Sequence, residues 1–442
     1  MNVNPAALGV EVLGEPCEDA FAQAFTAQYR DTWRFDHSAG AWYENDGVRW
    51  VKNTLQYARN LMRGIIRNVS DGDPNFCKSS CVNGSERLAQ ADTAHAVTAE
   101  IWDTDPWLLG TPGGVVDLRT GKLRQSLADD YITKLTNVTP KGGEPQLWLK
   151  FLHEATRGDA DMIRYLQRIA GYSLTGVTDE HALFFIHGPG GNGKSLFLNM
   201  LTYMLGDYAR TAAMDTFVAS KGDRHSTDMA MLAGCRLVTA SETEEGKAWA
   251  ESRIKSLTGG DPVTARFMRR DFFTYVPQFK LVIVGNHEPE LHVVDEAMKR
   301  RMNIIPFVFK PEAPDTNLER KLRDEAGQIL QWAIDGCIDW QHEGLRRPKA
   351  VASATGEYFA EQDLFGTFLA ERCERVVGGF EQPARIYNAW QAFAREAGEE
   401  PKSMKWMSNA LKRNQFQNDK SGGMRMYRNI RLLDNSGAHQ SY

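Results

Sequence analysis

The chain has 442 residues with a formal net charge of −5, and 42% of its residues are hydrophobic. This length corresponds to about two to four domains. No apolar run reaches the roughly 20 residues needed to cross a bilayer, and the N-terminus lacks the basic region of a secretory signal. Because the whole chain is acidic, any contact with nucleic acid must come from local basic patches.

The cysteines favour a reducing, cytosolic compartment. The chain has six of them, and only Cys77 and Cys81 are close in sequence. A single C-x-x-x-C pair without a second pair or nearby histidines is weak evidence for a metal site.

Residues 1–140 are predicted to form a small α+β region. Short aromatic runs are separated by turn signals such as Asp46-Gly47, which favours hairpins. An amphipathic helix is predicted over 53–69, and a further hairpin over 111–125 with its turn at Thr120-Gly121. Apolar residues then recur at helical spacing from Trp148 to Tyr172, so we predict a helical collar over 141–180, without a chemical role of its own.

A glycine-rich stretch between an apolar strand at 183–186 and an apolar helix at 196–205 has the spacing G-x-x-x-x-G-K-S. This is the pattern of a phosphate-binding loop. Glycines let backbone N–H groups approach phosphate oxygens, and the helix N-terminus adds partial positive charge. The stretch therefore predicts an ATP site formed by Gly188, Pro189, Gly190, Gly191, Asn192, Gly193, Lys194 and Ser195.

Two residues of this loop carry the most specific expectations. Lys194 can reach the outer phosphates, and the Ser195 hydroxyl can hold Mg²⁺. A glycine-rich turn before a core helix would match the same pattern, but the strand before the loop and the helix after it favour phosphate binding.

A second apolar strand is predicted over 235–242, and its last residue is the acidic Glu242. An acid at the end of a strand beside the phosphate loop can hold Mg²⁺ through water, and a neighbouring carboxylate can orient the attacking water. Glu242 is predicted to perform one of these functions, and Glu244 and Glu245 are both candidates for the other.

Three further features follow in the same region. Two short β-like runs flank Met268-Arg269-Arg270-Asp271, which predicts a hairpin with a basic tip. A third apolar strand, 281–285, ends in Asn286, a polar residue that can sense the γ-phosphate. Lys299, Arg300 and Arg301 then directly precede another apolar strand.

The order and spacing of five motifs resemble those of a superfamily-3 helicase of the phage and plasmid primase–helicase type, a family that includes the poxvirus primase–helicases. The motifs are GPGGNGKS (188–195), RLVTASE (236–242), IKSLTGGDPVTAR (254–266), PQFKLVIVGNHEP (277–289) and RRMNIIPF (300–307). With the upstream stretches TPGGVVDLRTGKL and GYSLTG, the resemblance covers about residues 30–430.

This resemblance implies an α/β fold with an AAA+-like P-loop ATPase core, which we place at 181–310. It implies ATP and Mg²⁺ as cofactors and a homo-hexameric ring that translocates on single-stranded or forked DNA. Such proteins replicate phages, plasmids or mobile elements, so the resemblance implies a cytoplasmic protein, bacterial or encoded by a phage.

The resemblance also implies residue functions. Lys194 and Ser195 would contact the nucleotide, Glu242 would be the Walker B acid, and Asn286 the sensor. Arg301 best matches the arginine finger that reaches a neighbour's ATP, with Arg300 as the alternative.

For the basic hairpin, the resemblance implies contact with the DNA backbone in the channel of the ring. Arg269 and Arg270 are the candidates, with Lys255 as a weaker one. A solvated turn, or an ion pair between Asp271 and a neighbouring subunit, would explain the same residues.

Many relatives carry an N-terminal primase–polymerase domain. Here only 180 residues precede the ATPase core at 181–310, and they contain no evident paired acidic metal motif. We therefore expect no priming by this chain, and a separate primase or polymerase, or a longer parent chain, would supply it.

After a helical linker at 311–350, residues 351–442 are predicted to form a winged-helix-like domain. Helices are predicted at 366–377, 384–398 and 403–416, followed by a turn at Gly422-Gly423. Seven basic residues lie between 401 and 430 against one acid, Asp419: Lys402, Lys405, Lys412, Arg413, Lys420, Arg425 and Arg428. A charge run is often only a solvated face, but beside three helices and a hairpin it favours DNA contact.

Three functions are compatible with these features. The first is an ATP-dependent replicative DNA helicase, and the second an initiator or loader that remodels DNA without processive unwinding. The third is a non-enzymatic origin-binding module, which the intact set of nucleotide motifs disfavours because binding alone needs no catalytic acid.

Overall fold

The computed structural model describes residues 15–218, 226–241, 249–268, 271–287, 289, 291, 295–312, 314–362, 364–421 and 424–433. The chain divides into two compact units. The larger comprises Met1–Pro289 with Arg300–Ala352, and the smaller comprises Glu290–Lys299 with Ser353–Tyr442. Each unit has a hydrophobic core of its own.

The N-terminal part of the larger unit packs three helices on a mixed sheet. Its elements are α1 (Glu18–Tyr29), β1 (Trp33–Asp36), β2 (Ala41–Asn45), β3 (Trp50–Lys52), α2 (Tyr57–Val69), α3 (Ser79–Ala91) and β4 (Ala96–Val97). The strand order is β3-β2-β1-β4, with antiparallel pairs except for the parallel pair β1–β4. The hairpins predicted around Asp46-Gly47 are therefore present.

Helix α2 buries one face and exposes the other. The residues that face the core recur at a spacing of three or four: Ala58, Met62, Ile65 and Ile66. The sequence predicted this helix from residue 53, but it begins at Tyr57. The reason is local: the Tyr57 N–H donates to Asn53 Oδ1 at 2.8 Å, and Gln56 has a left-handed φ of 55°.

A second, antiparallel sheet follows, formed by β5 (Leu108–Thr111), β6 (Gly114–Asp117) and β7 (Lys122–Arg124). The turn between β6 and β7 contains Thr120-Gly121, where the hairpin was predicted. The predicted collar then forms two helices, α4 (Gln146–Ala155) and α5 (Ala160–Leu174). Asp159 caps α5 because its side chain accepts the Met162 N–H at 3.0 Å.

The centre of the larger unit is a parallel sheet. The elements of this region are β8 (Leu183–His187), α6 (Lys194–Leu205), β9 (Ala209–Thr211), α7 (Ser226–Ala230), β10 (Leu237–Ser241), α8 (Glu251–Gly259), β11 (Val263–Ala265), β12 (Phe273–Tyr275), β13 (Lys280–Gly285), α9 (Glu296–Arg301) and β14 (Met302–Pro306). Five of these strands pair in the order β14-β8-β13-β10-β9, all parallel. The predicted α/β class is thus confirmed.

Residues 311–350 form α10 (Leu318–Asp324), α11 (Ala326–Glu343) and the start of α12 (Lys349–Gln362). Helix α11 packs along α5, where Arg164 and Arg168 both donate to the carboxylate of Asp339. These two hydrogen-bonded guanidinium groups hold the pKa of Asp339 well below its usual range.

The junction of α10 and α11 also holds helix α4 in place. The carboxylate of Glu325 accepts the N–H groups of Leu147 and Trp148 at 3.0 and 3.1 Å, which caps the N-terminus of α4 from a remote part of the chain. Helix α4 is therefore held in place by residues that follow the parallel sheet.

Besides parts of α9 and α12, the smaller unit contains three further helices and several short strands. They are α13 (Leu364–Arg372), β15 (Cys373–Glu374), β16 (Phe380–Glu381), α14 (Pro383–Glu396), α15 (Met404–Arg413), β17 (Asn418–Ser421), β18 (Met424–Arg428) and β19 (Arg431–Leu432). The helices correspond to the three predicted ones, and β17 pairs antiparallel with β18. The predicted turn at Gly422-Gly423 lies outside the described residues. Within the described ranges, no helix combines the length and apolar character needed to span a membrane.

Candidate active site

The glycine-rich loop leaves the carboxyl edge of the parallel sheet from β8, the second of its five strands. Strand β8 lies between β13 and β14, and His187 at its end pairs with both Gly285 and Pro306. The three strands therefore end level with one another, and Asn286 follows β13 directly beside the loop. Ligands of open α/β sheets bind at this edge.

Two glycines of the loop allow a close approach that other residues would block. Gly188 and Gly193 have φ values of 149° and 87°. A Cβ on Gly188 would lie 2.0 Å from the carbonyl oxygen of Phe307, and one on Gly193 would lie 2.5 Å from the ring of Phe151. The buried side chain of Asn192 donates to the same Phe307 carbonyl. The chain after β14 thus fixes the loop conformation.

Lys194 starts α6 and is only 6% exposed. Its Nζ donates to Asn192 Oδ1 at 3.0 Å, to Asn286 Oδ1 at 3.1 Å, to the Pro189 carbonyl at 3.1 Å and to the Gly188 carbonyl. These four acceptors are neutral oxygens, so they orient the ammonium group without cancelling its charge. Burial lowers the pKa of Lys194 from its ordinary value.

A cavity of about 640 Å³ opens beside this lysine. The part of the lining that comes from residues 190–195 and Asn286 is polar. The rest comes from α4 and from the chain before and within α10; it is mainly apolar, with Leu147, Phe151, Ala155, Phe309, Pro311, Pro314 and Leu318, and it also contains the charged residues Lys150, Glu154 and Asp315. The volume is typical of a small-molecule site, and a lining with both polar and apolar parts suits the phosphates and the base of a nucleotide.

Helix α4 contributes residues to this cavity, and the sequence did not predict this contribution. Leu147 and Phe151 come from α4, and Glu325 fixes α4 by capping it. No sequence motif marks these residues, because the contact depends on a carboxylate nearly 180 residues away. The sequence signal for this helix was the helical spacing of its apolar residues, and that spacing predicts packing in the core equally well.

The two candidate fingers lie at the opposite edge of the sheet. Arg301 directly precedes β14, whose first residue Met302 pairs with Leu183 at the start of β8. Arg301 is buried, at 8% exposure, and a Cβ on Gly259 would lie 3.3 Å from its Nη2. Arg300 is exposed. Five residues of strand, about 16 Å at 3.3 Å per residue, separate these arginines from the edge that holds the loop.

Of the other predicted site residues, some lie outside the described residues and some within them. Strand β10 ends at Ser241, level with Val284 of β13, and Glu242 lies outside the described residues, as do Arg269 and Arg270. Lys255 is half-buried on α8. Ser195 is exposed and lines the cavity.

The two strands of the predicted hairpin are present, and apolar residues flank its tip, of which the aromatic ones were not part of the sequence prediction. Strands β11 and β12 pair antiparallel. Beside the tip, Phe267 is 45%, Met268 78% and Phe272 60% exposed, and the guanidinium of Arg266 lies 4.6 Å from the centre of the Phe272 ring. The sequence does contain a signal for this apolar surface, because Phe267 and Phe272 flank the arginine pair on both sides.

For metals, the described part of the chain contains no group of three or more His, Cys, Asp or Glu side chains that could hold an ion. Cys77 and Cys81 are free thiols, the first exposed and the second buried. The weak evidence for a metal site at these cysteines therefore gains no support.

Two family descriptions match the chain. The family "D5 N terminal like" matches residues 22–157, and a family of unknown function, DUF5906, matches residues 186–301. The second match contains the loop, strand β13 with Asn286, and the candidate fingers Arg300 and Arg301.

Viral proteins named as proposed helicases are similar in sequence. A protein of Acanthamoeba polyphaga mimivirus is 27% identical over 75% of this chain and 35% of its own length. One of Frog virus 3 is 28% identical over 47% of this chain and 24% of its own length. One of the Sputnik virophage is 29% identical over 66% of this chain and 39% of its own length. The chain thus spans about a quarter to two fifths of the length of these relatives.

Among solved structures, the apo C-terminal region of NrS-1 is similar, with a TM-score of 0.51 over 93% of this chain and 99% of that chain. The two sequences are 11% identical, so this likeness shows the fold alone.

Proposed function

The chain belongs to the D5-like primase–helicase family, and we propose that it is an ATP-dependent DNA helicase. The observation that carries the proposal is the ammonium group of Lys194, held by neutral acceptors at the polar part of the lining of a nucleotide-sized cavity. The proposal extends to the replicative role and to the homo-hexameric ring that the family resemblance implies.

The cavity gives each part of ATP a partner. The loop residues 188–195 would hold the phosphates through backbone N–H groups and Lys194, and the base would lie against Leu147 and Leu318. Bound Mg²⁺ would neutralise charge on the β- and γ-phosphates, and Ser195 with Glu242 are the residues we propose to hold it.

Asn286 would report the nucleotide state to the sheet. Its Oδ1 accepts from Lys194 Nζ at 3.1 Å. A γ-phosphate would compete for the same ammonium group, so ATP binding would free the Asn286 side chain to contact the phosphate or the attacking water. Since Asn286 directly follows β13, this exchange would move the strand and the hairpin before it.

An arginine finger from a neighbouring subunit fits the position of Arg301 and Arg300. Both lie at the edge of the sheet opposite the loop, which favours contact with the nucleotide of a neighbouring subunit over that of their own. The family position favours Arg301, whereas exposure favours Arg300, because a buried side chain must first rearrange.

Two regions are proposed to contact DNA. In the hairpin, Arg269 and Arg270 would contact phosphates, with Lys255 as a weaker candidate. In the smaller unit, which we propose to be winged-helix-like, the basic residues whose side chains are described are all exposed: Lys402, Lys405, Lys412 and Arg428. A separate primase or polymerase would supply priming.

The test is strand displacement on a forked DNA substrate with ATP. The wild-type chain is expected to release the displaced strand, and Lys194→Ala is expected to release none. Lys122→Ala is the matched control, because Lys122 is exposed on β7 and does not line the cavity. DNA-stimulated ATP turnover without strand displacement in the wild type would contradict the helicase and favour a loader or initiator.

A further inference from the structure

The N-terminal part of the larger unit carries a basic segment in an acidic chain. From Gly47 to Ser70 there are five basic residues and no acidic one. Arg49 forms an ion pair with Asp207 at 2.6 Å. The other four, on β3 and α2, are Lys52, Arg59, Arg63 and Arg67.

The three arginines of α2 form a row along one face. They are spaced by four residues, so each lies about 6 Å further along the helix than the last. Arg63 and Arg67 are exposed, whereas Arg59 is half-buried, donates to Asn83 and lies 3.9 Å from Glu86. The row therefore presents charge to solvent beside α3.

A groove of about 700 Å³ runs beside this row, between α2 and the start of α3. Its lining includes Leu55, Tyr57, Arg59, Arg63 and Cys77. Leu55 is 87% exposed and Tyr57 is 47% exposed. The groove therefore places exposed aromatic and aliphatic surface directly beside cationic side chains.

The apolar side chains are held at the groove by a fixed loop. The Tyr57 N–H donates to Asn53 Oδ1 at 2.8 Å, and the Asn53 N–H donates to the Trp42 carbonyl at 2.8 Å. The ring of Tyr57 lies 6.2 Å from that of Trp33. The loop is therefore tied to the core of the N-terminal sheet, and little ordering is needed for a ligand to bind.

We propose that this groove binds single-stranded DNA, with the arginine row on the phosphates and Tyr57 and Leu55 against the bases. A row of cations beside exposed aromatic and apolar surface is the combination that sequence-independent single-strand sites use. A duplex fits less well, because its stacked bases offer no face to Tyr57. The proposal rests on the proposed function only in that DNA is the substrate, and it adds a site distant in sequence from the hairpin and the smaller unit.

The exposed thiol of Cys77 allows a direct test. In a Cys17→Ser background, Cys77 is the remaining exposed cysteine, since the other four are buried. Maleimide labelling of Cys77 is expected to slow when a saturating oligothymidylate is present. Arg63→Glu with Arg67→Glu should abolish this protection, and the matched control Lys122→Glu with Lys141→Glu, both exposed and outside the groove, should retain it.

Labelling needs no ATP and can be repeated in Lys194→Ala. Protection in a chain that fails to hydrolyse ATP would thus support the groove even where the proposed function fails. Equal labelling rates with and without oligonucleotide, in a chain that binds the oligonucleotide, would overturn the groove and leave the proposed function intact.

Binding measurements separate the two kinds of contact. Arg63→Ala with Arg67→Ala should lower the log–log salt slope of single-strand binding by about 1.4, at 0.7 per lost phosphate contact. Tyr57→Ala should weaken binding about fivefold or more, whereas Tyr57→Phe, which keeps the ring, should not. Basal ATPase measured without DNA should be unchanged in all of them, and the melting temperature should be unchanged in the arginine variant and in Tyr57→Phe. Loss of subunit assembly with unchanged DNA binding would assign the groove to a second copy of the chain and overturn the proposal.

Discussion

The two edges of the parallel sheet each bury a lysine, but only one of these lysines borders open space. At the carboxyl edge, Lys194 is 6% exposed and faces a cavity of about 640 Å³. At the amino edge, Lys280 is 2% exposed and is enclosed by the carbonyls of Thr175 and Val177 and by the Tyr172 ring, 4.6 Å from its Nζ. Burial lowers the pKa of both lysines.

The presence or absence of open space beside the lysine distinguishes a ligand-binding site from a structural contact. A buried cation with a lowered pKa occurs at both edges, so neither property identifies the active site. The amino edge contains a second enclosed cation, Arg236, whose guanidinium donates to the Leu174 and Leu108 carbonyls at 2.7 Å each. These contacts join the sheet to the segments that precede it, whereas the contacts of Lys194 leave room for a ligand.

The largest expected effect concerns the arginines at the amino edge. If Arg301 acts on a neighbour's ATP, Arg301→Ala should lower turnover by about 10³- to 10⁵-fold while nucleotide binding persists. Mixing Arg301→Ala with Lys194→Ala subunits should restore part of the activity, because one interface then combines an intact loop with an intact finger. ATP turnover across a series of mixing ratios measures this.

Arg300→Ala is the matched comparison for that experiment. If mixing with Lys194→Ala restores activity to Arg300→Ala but not to Arg301→Ala, the arginine finger is the exposed Arg300. If neither variant is rescued by Lys194→Ala although subunits exchange, the two edges do not cooperate across an interface.

The next effect is on stability. Lys280→Met removes the donor to the Thr175 and Val177 carbonyls and should lower the free energy of unfolding by about 1–3 kcal/mol. Turnover per folded molecule should stay within about twofold of wild type. Denaturant unfolding and ATPase assays check this. A Lys280→Met protein that is fully stable but inactive would contradict the structural function assigned to Lys280.

The lowered pKa of Lys280 also predicts a pH dependence. Between that pKa and about 10.4, the unfolded chain binds a proton that the folded chain does not, so this group makes stability rise with pH. Lys280→Met removes this contribution. Unfolding free energies of wild type and variant should therefore diverge as pH rises through the interval, and parallel curves would mean that the folded pKa is not lowered.

The sequence predicted the carboxyl edge well because its residues lie next to one another. Strand β8, the loop and the start of α6 are contiguous, and Asn286 directly follows a strand that any parallel arrangement brings level with the loop. The apolar part of the cavity lining was not predictable, because Leu147 and Leu318 are distant in sequence and meet only through tertiary packing. The N-terminal groove has no motif, since phosphate contacts need only charge at a suitable spacing.

The smallest effect tests that apolar part of the lining. Leu147 is 37% exposed and lines the cavity, so Leu147→Ala should raise KM for ATP a few-fold and leave kcat nearly unchanged, because it removes contact with the base and not with the phosphates. Leu88→Ala, at a residue that is 43% exposed on α3 and outside the cavity, is the control. An unchanged KM in Leu147→Ala would place the base elsewhere.

The most direct measurement compares the two lysines in a single assay, with ATP turnover recorded beside a thermal melt. Lys194→Ala is expected to keep a cooperative melt near that of wild type and to lose measurable turnover, since its ammonium group stabilises charge on the outer phosphates. Lys280→Met is expected to show the reverse, a lower melting temperature with retained turnover. Near-normal turnover in a folded Lys194→Ala protein would contradict the assignment of the cavity as the ATP site.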